Sequence, residues 1–252
     1  MHRLTRWPTA LLAAPLACAL TVAIAGCTRA VDGTAMAAEP GWRIPATSTT
    51  LTSAPPMLPP TALEAMLLNR DQLIAVAGGT AMATTMALVG TATSTSDSAQ
   101  IVDDRTCLGL SSVGDVTVYA NSGYVAMRGN QFSTPNAVAA DVTQLVTSFT
   151  TPGDARALLQ RARQDWQQCA QRRFGFHSSN GNHSYFLTHD VRAGDSRITL
   201  SMRQEEDARW GCSHAMAVQR AVVVEARVCL LNEDTDAAVN SLLDQIVAKV
   251  PQ

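Results

Sequence analysis

"WGCSHAMAVQRAVVVEARVCL", Trp210 to Leu230, is mostly apolar, rich in valine and alanine, and carries a cysteine near each end. If it were one straight strand, about 3.3 Å of rise per residue would set Cys212 and Cys229 more than 50 Å apart. A disulfide needs Cα atoms within about 7 Å. If the two thiols are bonded, the run must therefore reverse near its middle, between Arg220 and Ala221. "CSHAMAVQ" would descend and "AVVVEARVC" would return, as a hairpin stapled at its open end. Gln219-Arg220 is not a turn signal of the Asn-Gly type, so the turn is the weak point of this reading. The alternative is two unrelated buried cysteines, and the compartment decides between them.

The first residues speak to the compartment. Arg3 and Arg6 form a short basic region, and Thr9 to Gly26 is uncharged and almost all small or aliphatic. This pattern is that of a signal peptide rather than a membrane span. It ends in Ile24-Ala25-Gly26-Cys27, which resembles the lipobox of bacterial lipoproteins. In such proteins the chain is cut before the cysteine and its thiol is acylated. Residues 1–26 are thus expected to leave, and Cys27 to carry a lipid that anchors the chain at the cell membrane, facing the extracytoplasmic side. Two or more acyl chains hold stably where one is marginal.

Residues 27–60 then read as a lipidated start and tether. "TRAVDGTAMAAEPGWRIPATSTTLTSAPPMLPP" is rich in Thr, Ser, Ala and Pro, too polar to bury a core and kept extended by its prolines. Thr47 to Thr52 is a candidate for O-glycosylation. Residues 61–252 are left as one domain of ample size. The formal charge of −2 for the whole chain, with no basic cluster, argues against nucleic acid as a partner.

Cys18 lies in the signal peptide and Cys27 takes the lipid, leaving Cys107, Cys169, Cys212 and Cys229. An even number in an oxidising space reads as two disulfides, with three pairings open. No C-x-x-C or close His spacing supports a metal. His177, His183 and His189 are six apart, and His183 and His189 on one strand would stand about 20 Å apart. These three and His214 read as loop and surface histidines, so neither a metal nor a cofactor is expected.

The domain itself opens with "TALEAMLLNRDQLIAVAGG", a helix capped by Thr61 and Glu64 and interrupted near Asn69. "DVTVYANSGYVAMRG" alternates about Asn121-Ser122-Gly123 and reads as two strands; "VTQLVTSFT" reads as another. Thr151-Pro152-Gly153-Asp154 is a helix start. Leu158, Leu159, Ala162, Trp166 and Cys169 then fall on one face of that helix. "SYFLTHDV" and "SRITLSMRQ" are strand-like, and the last segment is a helix turning Leu242, Leu243, Ile246 and Val250 inward. Hairpins flanked by helices give an α+β fold on a mostly antiparallel sheet.

Three markers occur together: Cys107, the W-x-x-C helix of Trp166 and Cys169, and the Cys212–Cys229 segment with its valine run. On these the domain resembles the PknH-like extracellular sensor domain, a family carried by mycobacterial receptor kinases and by stand-alone lipoproteins. The resemblance covers about Thr61 to Val250. It implies the pairings Cys107–Cys169 and Cys212–Cys229, a twisted antiparallel sheet with packed helices, and a cleft that suggests a bound ligand. It names no ligand class. These residues contain no kinase domain, so signalling across the membrane is not carried over.

No G-x-S-x-G or H-E-x-x-H motif is present, and a catalytic role is not expected. Polar and aromatic residues set among strands are the candidates for lining a cleft: Tyr119, Tyr124, Arg128, Gln131 and Arg203. If Arg128 and Arg203 converge, their guanidinium groups would favour an anionic or polyhydroxyl ligand, with a tyrosine as aromatic wall. Otherwise they cover an outer sheet face beside acids such as Glu205. The expected function is a non-catalytic, lipid-anchored domain binding a small ligand or an envelope component. A module docking on a membrane protein such as a receptor kinase is the alternative, and an envelope hydrolase with an unrecognised site is the third.

Overall fold

A computed structural model of the chain describes residues 58–79, 83–177 and 183–252. Residues 1–57, which hold the expected signal peptide, Cys27 and nearly all of the expected tether, lie outside the described residues. The run that opens the sequence analysis is a hairpin, β8 (Trp210–Gln219) and β9 (Val222–Leu231), joined by Arg220 and Ala221. Arg220 takes a φ of 54°, the left-handed first position that matches a two-residue turn to the twist of its strands. Neither turn residue is glycine or asparagine, which is why the local signal was weak. The register is fixed at the other end as well, because Cys212 pairs directly with Cys229. Counting in twos from the hydrogen-bonded pair at the turn makes this a non-hydrogen-bonded pair, where side chains approach most closely. The disulfide spans Cα atoms 3.9 Å apart.

The hairpin lies in the middle of the sheet. The other strands are β1 (Ala87–Ala92), β2 (Tyr124–Ser133), β3 (Ala140–Phe149), β4 (Arg173–His177), β5 (His183–Thr188), β6 (Arg192–Ala193) and β7 (Arg197–Gln204). Their order is β1-β2-β3-β9-β8-β7-β5-β4, with β6 paired to β7. Every ladder between these strands is antiparallel.

Helices cover both faces. On one lie α1 (Pro60–Met66), α2 (Arg70–Val76) and α6 (Thr235–Val247), packed on Val142, Val146, Ala215, Val224 and Val228. On the other lie α3 (Leu108–Ser111), α4 (Val116–Tyr119) and α5 (Pro152–Gln168), packed on Leu145, Leu200, Met216 and Val223. The central strands are therefore apolar on both sides, which explains the unbroken valine run. Each fully buried Val or Leu contributes about 1.5–3 kcal/mol. The second disulfide, Cys107–Cys169, ties the segment entering α3 to the end of α5.

Two local expectations are corrected. Val116–Tyr119 is helical, not a strand, because the Asp115 carboxylate caps it by accepting from the Thr117 N–H. The first helix has no side-chain cap from Thr61. Pro60 occupies its first turn, placing Thr61 inside the helix. The reciprocal cap lies at the interruption instead, between Asn69 and Gln72 at the start of α2. The linker there is held by Gln144, a buried amide in β3 that accepts from the Leu68 N–H and donates to the Leu68 carbonyl. The expected α5 and α6 both form. Thr151 caps α5 by accepting from the Asp154 N–H, and Leu242, Leu243, Ile246 and Val250 are buried.

Candidate functional site

Helix α5 covers only the half of its sheet face that is nearer the Arg220 turn. Beyond it, towards the disulfide, the face opens into a cleft of about 650 Å³, within the range of small-ligand sites. Its strand residues all point the same way by the alternation of the ladders: Asp141, Arg227, Cys229, Cys212, Met202, Phe186 and Phe176. Trp210, Arg209 and Asp207 stand at the rim, and the Cys212–Cys229 bridge forms part of the floor.

The polar chemistry of the cleft centres on Asp141 and Arg227. Asp141 is 8% exposed; its Oδ2 accepts from Gln131 Nε2 at 2.8 Å. Its Oδ1 lies 3.7 Å from an Arg227 terminal nitrogen, a loose ion pair. Arg227 also donates to the Ser111 carbonyl. Asp141 Oδ1 and Arg227 Nε are buried without a hydrogen-bond partner among the described residues. Such atoms are costly unless a water or ligand serves them. Arg209, by contrast, is held in two bonds by Asp207, at 2.9 and 2.7 Å.

Two residues further along the same face is a closed network. Glu225 Oε2 accepts from Tyr119 Oη at 2.8 Å and from the Gly114 N–H at 3.1 Å. Its Oε1 is 2.8 Å from His214 Nε2, and His214 Nδ1 is 2.9 Å from the Leu110 carbonyl. A carbonyl only accepts, so Nδ1 carries a proton. Trp166 packs on the imidazole, with ring centroids 4.6 Å apart. Burial, and then the Glu225 charge, push the Tyr119 phenol well above its ordinary pKa.

The five residues proposed from sequence separate. Gln131 borders the cleft chemistry through Asp141. Tyr119 is 2% exposed and belongs to the Glu225 network, so it forms no wall of the cleft. Tyr124 is half-buried and makes an edge contact with Tyr119. Arg128 and Arg203 share the opposite sheet face, on β2 and β7, with three strands between them. Arg128 lines a hollow beside Glu64 and Asn69, whereas Arg203 is exposed and lies across Gly211. They do not converge. Glu205 pairs with Arg173, not with either of them. His214 is fully buried, not a surface histidine. The residues missed were Asp141, Arg227 and the aromatics of β4 and β5. Glu225 and Arg227 did carry a signal, being two charges spaced by two in a strand otherwise apolar.

The family of PknH-like extracellular domains matches residues 58–249. The serine/threonine-protein kinase PknH of Mycobacterium bovis is 30% identical over 168 residues, covering 66% of this chain and 27% of the kinase. Its Mycobacterium tuberculosis counterpart is 30% identical over the same length, covering 26% of that protein. The chain thus spans about a quarter of the length of these relatives. The crystal structure of the extracellular domain of PknH from Mycobacterium tuberculosis superposes with a TM-score of 0.69 at 29% identity, covering 77% of this chain and 97% of that one. The likeness is to the extracellular domain of the kinase and not to its catalytic domain. Among the described residues no helix is long and apolar enough to cross a membrane. Sheet, helices, disulfide pairs and sequence agree, and the chain belongs to the PknH-like extracellular domain family.

Proposed function

We propose that the chain is a non-catalytic, lipid-anchored extracytoplasmic lipoprotein whose sensor-like domain binds a small ligand or a cell-envelope component in the cleft. The observation that carries this is the loose Asp141–Arg227 pair, with buried polar atoms unpartnered at a site walled by Phe176, Phe186 and Trp210. Apolar walls with a few convergent polar groups suit an amphipathic ligand with a charged or hydroxylated head. Anchoring rests on the Ile24-Ala25-Gly26-Cys27 sequence. Cys27→Ser should leave the protein unprocessed or release it from the membrane fraction. Normal processing with full membrane retention would remove the anchor from this reading.

Native mass spectrometry of the protein purified from its own envelope tests the cleft. A co-purifying lipid or glycan is expected, and Ser184→Trp, which fills the cleft from β5, should abolish it without lowering the melting temperature. A species retained by this variant binds elsewhere. Docking on a membrane protein such as a receptor kinase is the second reading. It is favoured by edge strand β1, where Leu88 and Val89 are more than half exposed.

A further inference from the structure

On the outer face of the β4–β5 hairpin, away from the cleft, His177 and His183 are directly opposed in the ladder. Their rings are 4.3 Å apart between centroids, and His177 Nδ1 is 3.4 Å from His183 Nε2. The Asp103 carboxylate is paired with His177 Nε2. One donor atom from each of the three residues can be chosen so that all lie within 4.8 Å of one another. We propose that Asp103, His177 and His183 form a binding site for a divalent transition-metal ion such as zinc.

Ligands about 2.0–2.1 Å from a tetrahedral zinc stand roughly 3.3 Å from one another, so small rotations of the imidazoles bring these donors into place. Two imidazoles and one carboxylate suit zinc, nickel or copper, whereas calcium and magnesium want oxygen donors alone. Three protein ligands also leave a position for water or a further ligand.

The backbone holds the three residues in register. The His177 N–H donates to the Ile101 carbonyl at 2.8 Å, and the Asp103 N–H donates to the Gly175 carbonyl at 3.1 Å. Val102 forms a bridge with Phe176 between them. Gly175 leaves the space the carboxylate fills. A Cβ there would stand 2.2 Å from Asp103 Oδ2 and 2.8 Å from the Tyr185 ring. The His177 and Asp103 side chains are 37% and 34% exposed, open enough for an ion to enter. The donors meet across the hairpin, from His177 to His183, and not along one strand from His183 to His189. The inference is independent of what the cleft binds.

The test is titration of the whole chain, without a polyhistidine tag, with zinc chloride in a calorimeter, and with cobalt(II) followed by visible absorption. One ion per chain is expected, with the d–d bands of a low-coordinate cobalt site. His183→Ala and Asp103→Asn should each weaken binding at least tenfold, while His189→Ala, another exposed histidine, should not change it. Circular dichroism and melting of the metal-free His183→Ala protein should match the parent, since that side chain is exposed. Absence of saturable binding, or equal binding by the parent and both ligand variants, overturns the proposal. If Asp103→Asn fails to fold, His183→Ala alone decides.

Discussion

Glu225 and Arg227 sit two residues apart on one strand and point to the same side of the sheet, yet their surroundings differ. Glu225 is wholly buried under α3, α4 and α5, with donors from Gly114 and Tyr119 and with His214 Nε2 2.8 Å from its other oxygen. Arg227 faces the cleft, with a loose acid partner and an unserved Nε. The first network closes on the protein's own groups and stabilises one arrangement of helices over the sheet. The second is left partly open where the helical cover ends. Position under or beyond α5 thus separates a polar group used for the fold from one available to a ligand.

The largest effect expected is from Glu225→Ala. Removing one member of a buried pair leaves its partners uncompensated, at a cost of about 3–5 kcal/mol. Urea unfolding measures this. Replacing His214 and Glu225 together by leucine should cost less than Glu225→Ala, because no imidazole is then left in the core without its partner. A loss below about 1 kcal/mol in the single variant would erase the contrast with Arg227.

Tyr119→Phe should cost about 1–2 kcal/mol at neutral pH through the lost bond to a buried carboxylate. Its pH dependence sharpens the comparison. The phenol's pKa is raised in the native chain by burial and then by Glu225, whereas the unfolded phenol ionises near pH 10. Above that pH the unfolded state binds fewer protons, so native stability falls as pH rises. The variant lacks this fall, and the gap between parent and variant should narrow above about pH 10. A constant gap across that range would place Tyr119 outside the charged network.

Arg227→Ala should have the smallest effect on stability, about 1 kcal/mol, since solvent entering the cleft can serve Asp141. It should instead abolish retention of whatever co-purifies with the parent. A stability loss as large as that of Glu225→Ala would show that Arg227 belongs to the fold and not to the site.

How much of this was legible depends on whether the information is local. Helix α5 was, because Thr151 and Pro152 cap it and Leu158, Ala162 and Trp166 recur at helical spacing. The β8–β9 reversal was, because two cysteines and a strand rise leave few geometries. Helix α4 was not: four residues rich in valine look like a strand, and only the cap from Asp115 decides otherwise. The cleft was not, because Asp141, Arg227 and Phe176 come from three strands that the sheet order brings together. The strands of Arg128 and Arg203 and their anion-pairing chemistry were legible, but their facing was not, and strand alternation carries both to the other face. His177 and His183 show the same limit, since their meeting depends on a hairpin the local sequence does not announce.

The sheet order also governs when this protein can fold. The last two strands made, β8 and β9, occupy its centre, between β3 and β7. Until they emerge, neither the β1–β3 half nor the β5–β7 half has the neighbour that completes it, and each presents a bare edge and an uncovered apolar face. Nearly all of the chain must therefore be delivered before the sheet can close. Such non-local closure is slow and leaves unpaired edges prone to misassociation. In chain order, then, the carboxy-terminal hairpin is the last piece of the sheet to arrive and the one that joins its two halves.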